Sequence, residues 1–241
     1  MIGLDIIKLI SRSTPSKIVL LVLDGLGGLP HPDTGKTELE TARTPNLDAL
    51  AHKAICGLSE PVGPGITPGS APGHLALFGY DPVTNNIGRG VLEAVGIDFE
   101  LEPGDVAARG NFCTMDEAGL ITDRRAGRIS TEASTELCRL LDGLAIDNVS
   151  ILVRPVKEHR FIAVFRGSGL SPGVTDSDPQ QTGVAPRAIR AASPADERMA
   201  SIANQFVARA RSILAGHHPA NMILLRGFSQ RPHLPSMGEI Y

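Results

Sequence analysis

Two side chains, Asp24 and Ser70, are of types that together support phosphoryl transfer. Asp24 follows a mostly apolar run at residues 17–23 and precedes a glycine-rich turn. The run predicts a strand buried in a parallel sheet, and such sheets carry their sites at the carboxyl ends of strands. A carboxylate there can hold a divalent metal ion, although the same pattern also fits an aspartate that only caps a turn.

Ser70 lies in a loop rich in glycine and proline, and we expect it to be the N-cap of a short helix. Backbone N–H groups converge at a helix N-terminus, where the dipole favours an anion, so a phosphate ester can be stabilised there. A metal ion held by Asp24 would acidify the hydroxyl for attack on phosphorus. Taken alone, a serine before a helix is more often an ordinary N-cap.

Arginines that could neutralise a phosphate lie next to glycine, aspartate or histidine residues. They are Arg109, Arg124, Arg125, Arg128, Arg160 and Arg226. A guanidinium matches phosphate and carboxylate oxygens in a bidentate way, which phosphoryl transfer requires more than covalent chemistry. The alternative is a set of solvated loop arginines. His159 either joins this set or lies at a strand edge, whereas His217, His218 and His233 are expected to be solvated.

Composition excludes several classes of function. The net charge of −3 and the absence of Trp argue against nucleic acid or an anionic membrane as a partner. The three cysteines are widely spaced, which is typical of reduced thiols in a cytoplasmic protein. The longest apolar run is too short to span a bilayer, and no leader pattern is found at the N-terminus.

Hydrophobic periodicity predicts helices and strands throughout the chain. Helices are expected at residues 2–10, from Thr44-Pro45, at 91–95, from Ser130 and from Ser193 to Gly216. Strands are expected at 17–23, 106–114, 149–154, 159–165 and 221–225. Near residue 96 the predicted βα pattern gives way to an α+β arrangement of strands and two helices, so a domain boundary is expected there.

Several motifs carry a resemblance to a known family. They are LDGLGG, ARTPNLDALA, GPGITPGSAPGHLALFGYDP, GRGVLEAVGI, ARGNFCT, DRRAGRI, EHRFIAVFRG and the stretch DSDP at Asp176–Pro179. Over essentially the whole chain, these motifs resemble the archaeal-type, 2,3-bisphosphoglycerate-independent phosphoglycerate mutases of the alkaline phosphatase superfamily. The resemblance implies an α/β fold with an incomplete alkaline-phosphatase-like core at 1–96, an inserted α+β domain at 97–225 and a return linker at 226–241.

The same resemblance implies an activity and its residues. Family members interconvert 2-phosphoglycerate and 3-phosphoglycerate through a phosphoserine, with two divalent ions, Mn²⁺ or Mg²⁺, and without 2,3-bisphosphoglycerate. Ser70 matches the nucleophile, and Asp24 and Ser70 match metal ligands. The residues expected to bind substrate are Arg109, Asn111, Asp123, Arg124, Arg128, His159, Arg160 and Arg226.

Family members are longer, and the remaining metal ligands of their pattern are not found here. The chain is therefore expected to be a truncated portion that is inactive by itself. Two other functions stay open: a metal-dependent phosphatase or phosphotransferase acting on another small phosphate ester, and a non-catalytic, anion-binding remnant. The sequence leaves the oligomeric state open.

Overall fold

The computed structural model describes residues 3–23, 25, 28–66, 68–85 and 87–241, which form two compact units. One unit contains the described residues of 1–67 together with 235–241, and the other contains 68–234. Asp24 lies outside the described residues, and only the backbone of Ser70 is described. The expected domain boundaries near residues 96 and 225 stay predictions.

The described chain contains helices and strands in the following order. The helices are α1 Leu4–Ile10, α2 Glu38–Thr41, α3 Pro45–Ala51, α4 Ser70–Leu77, α5 Arg89–Val95, α6 Thr131–Leu141, α7 Glu197–Leu214 and α8 Met237–Ile240. The strands are β1 Val106–Met115, β2 Ile121–Asp123, β3 Leu144–Ile146, β4 Val149–Lys157, β5 Arg160–Arg166 and β6 Met222–Ser229. None of the helices in the described ranges is both long and apolar enough to cross a membrane.

The predicted strand at residues 17–23 is wrong for this structure. These residues are neither helix nor strand, and their apolar side chains are exposed, with Ile18 97% exposed and Val19 89% exposed. A strand needs a neighbour that satisfies its backbone N–H and C=O groups. No strand in the described part of the chain pairs with this run, so a β-rich sequence alone does not form one.

The unit at residues 68–234 is built around an antiparallel sheet. The strand order is β2-β1-β5-β4-β3, and β6 also pairs with β1. Every pair of named strands in the described ranges is antiparallel. The sheet described here is thus not the parallel one expected for the region around Asp24, although the mixture of helices and strands agrees with the predicted fold class.

The two faces of the sheet have different roles. Helices α6 and α7 cover one face, where Phe161, Phe165 and Phe206 are fully buried in the main core. On the other face, α5 packs at one end through Val91 and Ala94. Side chains two apart on a strand lie on the same face, so odd-numbered positions of β1 share the face that carries α5.

Most local predictions in the second unit are confirmed, with differences at element ends. Ser130 caps α6 by accepting a hydrogen bond from the Ala133 N–H at 3.2 Å. Ser70, in contrast, is the first residue of α4, and Gly69 is its N-cap. The predicted N-cap is therefore wrong by one residue. Strands β2 and β3 of this unit, and helices α2 and α8 of the other unit, were missed because they contain only three or four residues each.

Candidate functional site

Strand register brings four polar side chains to one face of the sheet. Arg109 and Asn111 lie two apart on β1, so both point to the face opposite α6 and α7. Arg109 is paired with Arg226 on β6, and Asn111 is paired with Arg160 on β5. Residues paired across neighbouring strands have adjacent side chains. Pairing of distant segments thus concentrates three guanidinium groups and one amide.

The segment after β2 adds three more arginines. The Asp123 carboxylate accepts hydrogen bonds from the backbone N–H groups of Arg125, at 2.8 Å, and Gly127, at 2.7 Å. Ala126, Gly127 and Arg128 all have positive φ angles, between 46° and 62°. Residues other than glycine adopt such angles only at an energetic cost. The two hydrogen bonds to Asp123 offset part of that cost and stabilise the tight turn. The turn presents the neighbouring arginines on one side.

These elements form the walls of a cavity of about 360 Å³ within the second unit, and the cavity is open to solvent. Its lining is strongly polar and contains all six arginines singled out in the sequence. The lining residues are Arg109, Asn111, Arg124, Arg125, Arg128, Glu158, His159, Arg160, Gln180 and Arg226. We call this cavity the arginine pocket.

A buried aspartate fixes one side of the arginine pocket. The Asp178 side chain is fully buried and accepts two hydrogen bonds from Arg124, at 3.0 Å from Nε and 2.7 Å from Nη2. Asp178 Oδ2, the oxygen that accepts from Arg124 Nη2, also lies 3.6 Å from Arg226 Nη1. Burial alone would raise the Asp178 pKa, but the hydrogen bonds from Arg124 and the Gln180 N–H, with both arginine charges, lower it below its ordinary value. Asp178 is therefore ionised at neutral pH.

A second acid, Glu93 on α5, occupies the other side. Its Oε1 lies 3.2 Å from Arg109 Nη1 and 3.7 Å from Arg160 Nη1. At the rim, Glu158 lies 3.4 Å from Arg128 Nη1. The six arginines and the three carboxylates that form ion pairs with them sum to a net charge of three positive.

Buried polar atoms without partners point into this region. Among the described residues, four buried side-chain nitrogen or oxygen atoms lack a hydrogen-bond partner, and three of them belong to the arginine pocket: Arg109 Nε, Asn111 Oδ1 and His159 Nδ1. Each such atom costs about 1–3 kcal/mol when it is desolvated and unpaired. Unpaired groups concentrated in one polar cavity are typical of a site that receives a ligand.

His159 is neutral at physiological pH. Its side chain is 7% exposed, and burial lowers its pKa from an ordinary 6.5 to about 4. The nearby Glu158 carboxylate opposes this shift, whereas the charges of Arg160, Arg125 and Arg128 add to it. A neutral imidazole can accept a proton, and an anion bound among the arginines would raise its pKa again.

We therefore expect the His159 imidazole to stay neutral down to about pH 5 in the folded chain. The unfolded chain takes up this proton below pH 6.5, so stability falls as the pH drops from 6.5 towards 4, by on the order of 3 kcal/mol at most. Proton NMR titration of the imidazole measures the pKa, and the variant His159→Gln identifies the resonance. Titration near pH 6.5 would contradict the expected burial effect.

The structure places most of the predicted substrate residues together. Seven of the eight line the arginine pocket, and the eighth, Asp123, holds the adjoining turn instead. His217, His218 and His233 are not among its lining residues. Sequence reasoning missed Glu93, Asp178, Glu158 and Gln180; a buried acid can be expected beside each arginine cluster, but spacing does not reveal which acid it is.

The predicted metal site cannot be built from the described residues. Asp24 and the Ser70 side chain lie outside them, and in the rest of the chain that is described no three His, Cys, Asp or Glu side chains form a metal-binding group. The residues present in the arginine pocket are mainly cationic and do not fit a metal ion.

The chain matches a protein-family model over most of its length. The model of 2,3-bisphosphoglycerate-independent phosphoglycerate mutase matches residues 51–221. The chain belongs to this family. The match includes every lining residue of the arginine pocket except Arg226. The resemblance carried by the sequence motifs is thereby confirmed.

Curated phosphoglycerate mutase relatives are similar over nearly the whole chain but are longer. A protein of Deinococcus radiodurans named "Probable 2,3-bisphosphoglycerate-independent phosphoglycerate mutase" is 50% identical over 99% of the chain and 59% of its own length. A protein of the same name from Thermus thermophilus is 48% identical over 98% of the chain and 59% of its own length. The chain thus spans about 59% of the length of these relatives.

Solved structures agree with the family assignment. A cofactor-independent phosphoglycerate mutase from Thermoplasma acidophilum has a TM-score of 0.61 at 37% identity, with 91% of this chain and 60% of that chain covered. A protein from Pyrococcus horikoshii has a TM-score of 0.68 at 28% identity, with 89% of this chain and 51% of that chain covered. Both share the fold of this chain over most of its length.

Proposed function

We propose that this chain provides the substrate-binding part of a phosphoglycerate mutase that interconverts 2-phosphoglycerate and 3-phosphoglycerate. The observation that supports the proposal is the arginine pocket, whose lining residues carry six guanidinium groups and three buried polar atoms without hydrogen-bond partners. The relatives that bear the mutase name are longer than this chain, so the complete reaction belongs to the longer protein.

The charge of the arginine pocket fits this substrate. A phosphate monoester carries about −1.5 to −2 at pH 7, and a carboxylate adds one more negative charge. Phosphoglycerate therefore opposes the net charge of three positive described above almost completely. Because both of its ends are anionic, the bidentate forks of separate arginines can hold the phosphate and the carboxylate at once.

The chemical roles proposed for individual residues follow the sequence resemblance. Ser70 would accept the phosphoryl group and return it to the other glycerate hydroxyl, and Asp24 and Ser70 would be ligands of a divalent ion. Such an ion, Mn²⁺ or Mg²⁺ and one of two, would neutralise charge on the phosphoryl group when bound. Neutral His159 can accept and return a proton at a glycerate hydroxyl, because it faces the arginine pocket and is not permanently charged.

Replacing Arg125 by alanine is the cleanest test of binding. Arg125 lines the arginine pocket, and in the described part of the chain its side chain makes no ion pair, so its loss leaves no acid unpaired. We expect Arg125→Ala to weaken binding of 3-phosphoglycerate by about 10-fold or more, which corresponds to one charge-assisted hydrogen bond. Isothermal titration calorimetry on the 241-residue chain measures this change.

The matched control is Arg139→Ala, which removes a guanidinium that is 68% exposed and forms an i,i+3 pair with Glu136 on α6. This change should leave the affinity within about twofold, because exposed pairs contribute little and Arg139 is not a lining residue of the arginine pocket. Equal effects of the two variants, or no binding of 3-phosphoglycerate by the unaltered chain, would contradict the proposed function.

A phosphatase is the second candidate, since a cationic pocket also suits other small phosphate esters. Product analysis separates the two reactions, because a phosphatase releases inorganic phosphate to water whereas a mutase retains it in the product. The measurement belongs on a protein of the relatives' full length, with Ser70→Ala as the inactive reference.

A further inference from the structure

Glu93 lies beside the arginine pocket and is not one of the residues expected to bind substrate. Its side chain is 15% exposed, on the sheet face opposite the main core. One carboxylate oxygen lies within 4 Å of both Arg109 and Arg160, which come from neighbouring strands. A single largely buried acid thus bridges two arginines that would otherwise repel each other.

Helix α5 holds Glu93 at a fixed distance from the sheet. Gly90 packs directly on the backbone of β1, where a Cβ atom would lie 2.1 Å from the Ala107 carbonyl oxygen. Val91 and Ala94 are buried against Ala107, Ile162 and Val164. Since the face of α5 formed by these three residues is in close contact with the sheet, the helix backbone limits how far the carboxylate can move from the two guanidinium groups.

Glu93 also opposes a concentration of like charge. Burial lowers the pKa of Arg109, and the cations of Arg226, Arg160 and Arg89 lower it further, whereas Glu93 raises it. On the other side, Asp178 is the acid that pairs with Arg124 and lies 3.6 Å from Arg226. Four of the six arginines are therefore grouped in two pairs, each pair sharing one acid.

We infer that Glu93 is a positioning residue that fixes Arg109 and Arg160 in place and makes the arginine pocket select an anion with two charged ends over a single phosphate. This inference rests on the proposed function. Glu93 orients the guanidinium groups of Arg109 and Arg160 before the ligand binds. Its negative charge also lowers the net positive charge around them. A small anion gains little from fixed spacing, whereas phosphoglycerate gains at both ends.

The test compares binding of 3-phosphoglycerate and inorganic phosphate by the 241-residue chain and by Glu93→Gln, using calorimetry at low salt. Glutamine keeps the shape but removes the negative charge. We expect 3-phosphoglycerate to bind about 10-fold more weakly because the two arginines separate, and phosphate to bind up to about threefold more tightly because the net charge rises. The preference for 3-phosphoglycerate then falls by at least about 10-fold, and phosphate binding becomes more sensitive to salt.

Glu93→Asp and Glu136→Gln are the companion variants. Aspartate keeps the charge but withdraws the carboxylate by one methylene, so it should leave phosphate affinity unchanged and recover part of the preference. Glu136→Gln, at an exposed pair on α6, should change neither affinity.

The outcomes separate the two proposals. A parallel loss of both affinities in Glu93→Gln, with a lower midpoint of unfolding, would show a purely structural role and overturn the inference. An unchanged preference would also overturn it, while leaving the proposed function intact. Failure of the unaltered chain to bind either anion would overturn both.

Discussion

Asp178→Asn is expected to lower the free energy of unfolding by about 3 kcal/mol at neutral pH. The reason is that removal of one member of a buried ion pair leaves the other charge uncompensated. Asp178 is fully buried and accepts two hydrogen bonds from Arg124, which is itself only 24% exposed. An asparagine of the same shape presents an N–H group where Arg124 requires an acceptor.

The effect should depend on pH in a defined direction. Because the pKa of Asp178 is lowered in the folded chain, its carboxylate contributes stability above the ordinary value of 3.8. That contribution is lost as the pH falls below 3.8 and through the lower pKa of the folded state. The difference between the chain and Asp178→Asn should therefore be largest near neutral pH and shrink in acid.

Urea denaturation followed by far-ultraviolet circular dichroism measures this difference, since the chain contains no Trp for fluorescence. Glu136→Gln, which breaks an exposed ion pair, is the control and should change stability by less than about 0.5 kcal/mol. Similar small losses in both variants would mean that Arg124 is stabilised by solvent rather than by Asp178.

Gly90→Ala is expected to cost at least about 3 kcal/mol of stability, or to displace α5 from the sheet. The added Cβ would lie 2.1 Å from the Ala107 carbonyl oxygen and 2.6 Å from the Ala108 backbone nitrogen. Backbone atoms of a paired central strand cannot rotate away as a side chain can. The helix must therefore shift, and Glu93, one turn along, must move with it.

Two measurements check this prediction. Urea denaturation gives the loss of stability, and titration with 3-phosphoglycerate shows whether a shift of α5 reaches the arginine pocket. Gly216→Ala is the matched control: no heavy atom lies within 4 Å of its added Cβ, so it should be neutral or slightly stabilising. If Gly90→Ala behaves like Gly216→Ala, the close contact between α5 and β1 is not present in solution.

Sequence patterns predicted the elements whose stability is local. The helix after Ser130 and the strand at 106–115 were found because capping and apolar periodicity act between near neighbours. The run at 17–23 is richer in Ile, Val and Leu than β1, but it lacks a described partner strand. Strand formation depends on a partner that composition does not specify.

The same distinction explains the candidate site. The arginines could be selected from sequence because each lies beside a turn-forming or charged residue, and the family motifs supplied Asn111 and His159. Glu93 and Asp178 lie within two of those motifs, but their pairing with arginines could not be predicted, because the first contacts Arg109 from a different element and the second contacts Arg124 across 54 positions of the sequence. Only the folded chain shows which acid forms an ion pair with which arginine.

The alternation along β1 has a consequence for how this protein can change over time. Phe112 is in the main core, whereas Arg109 and Asn111 on the same strand face the arginine pocket. Point substitutions on the pocket side can therefore alter ligand preference while the core remains as it is. A one-residue shift in the register of β1 would exchange the two faces, placing the Arg109 guanidinium and the Asn111 amide in the core. In this chain, exchanges of side chains on β1 are thus a less disruptive route to a new ligand preference than a shift of the strand register.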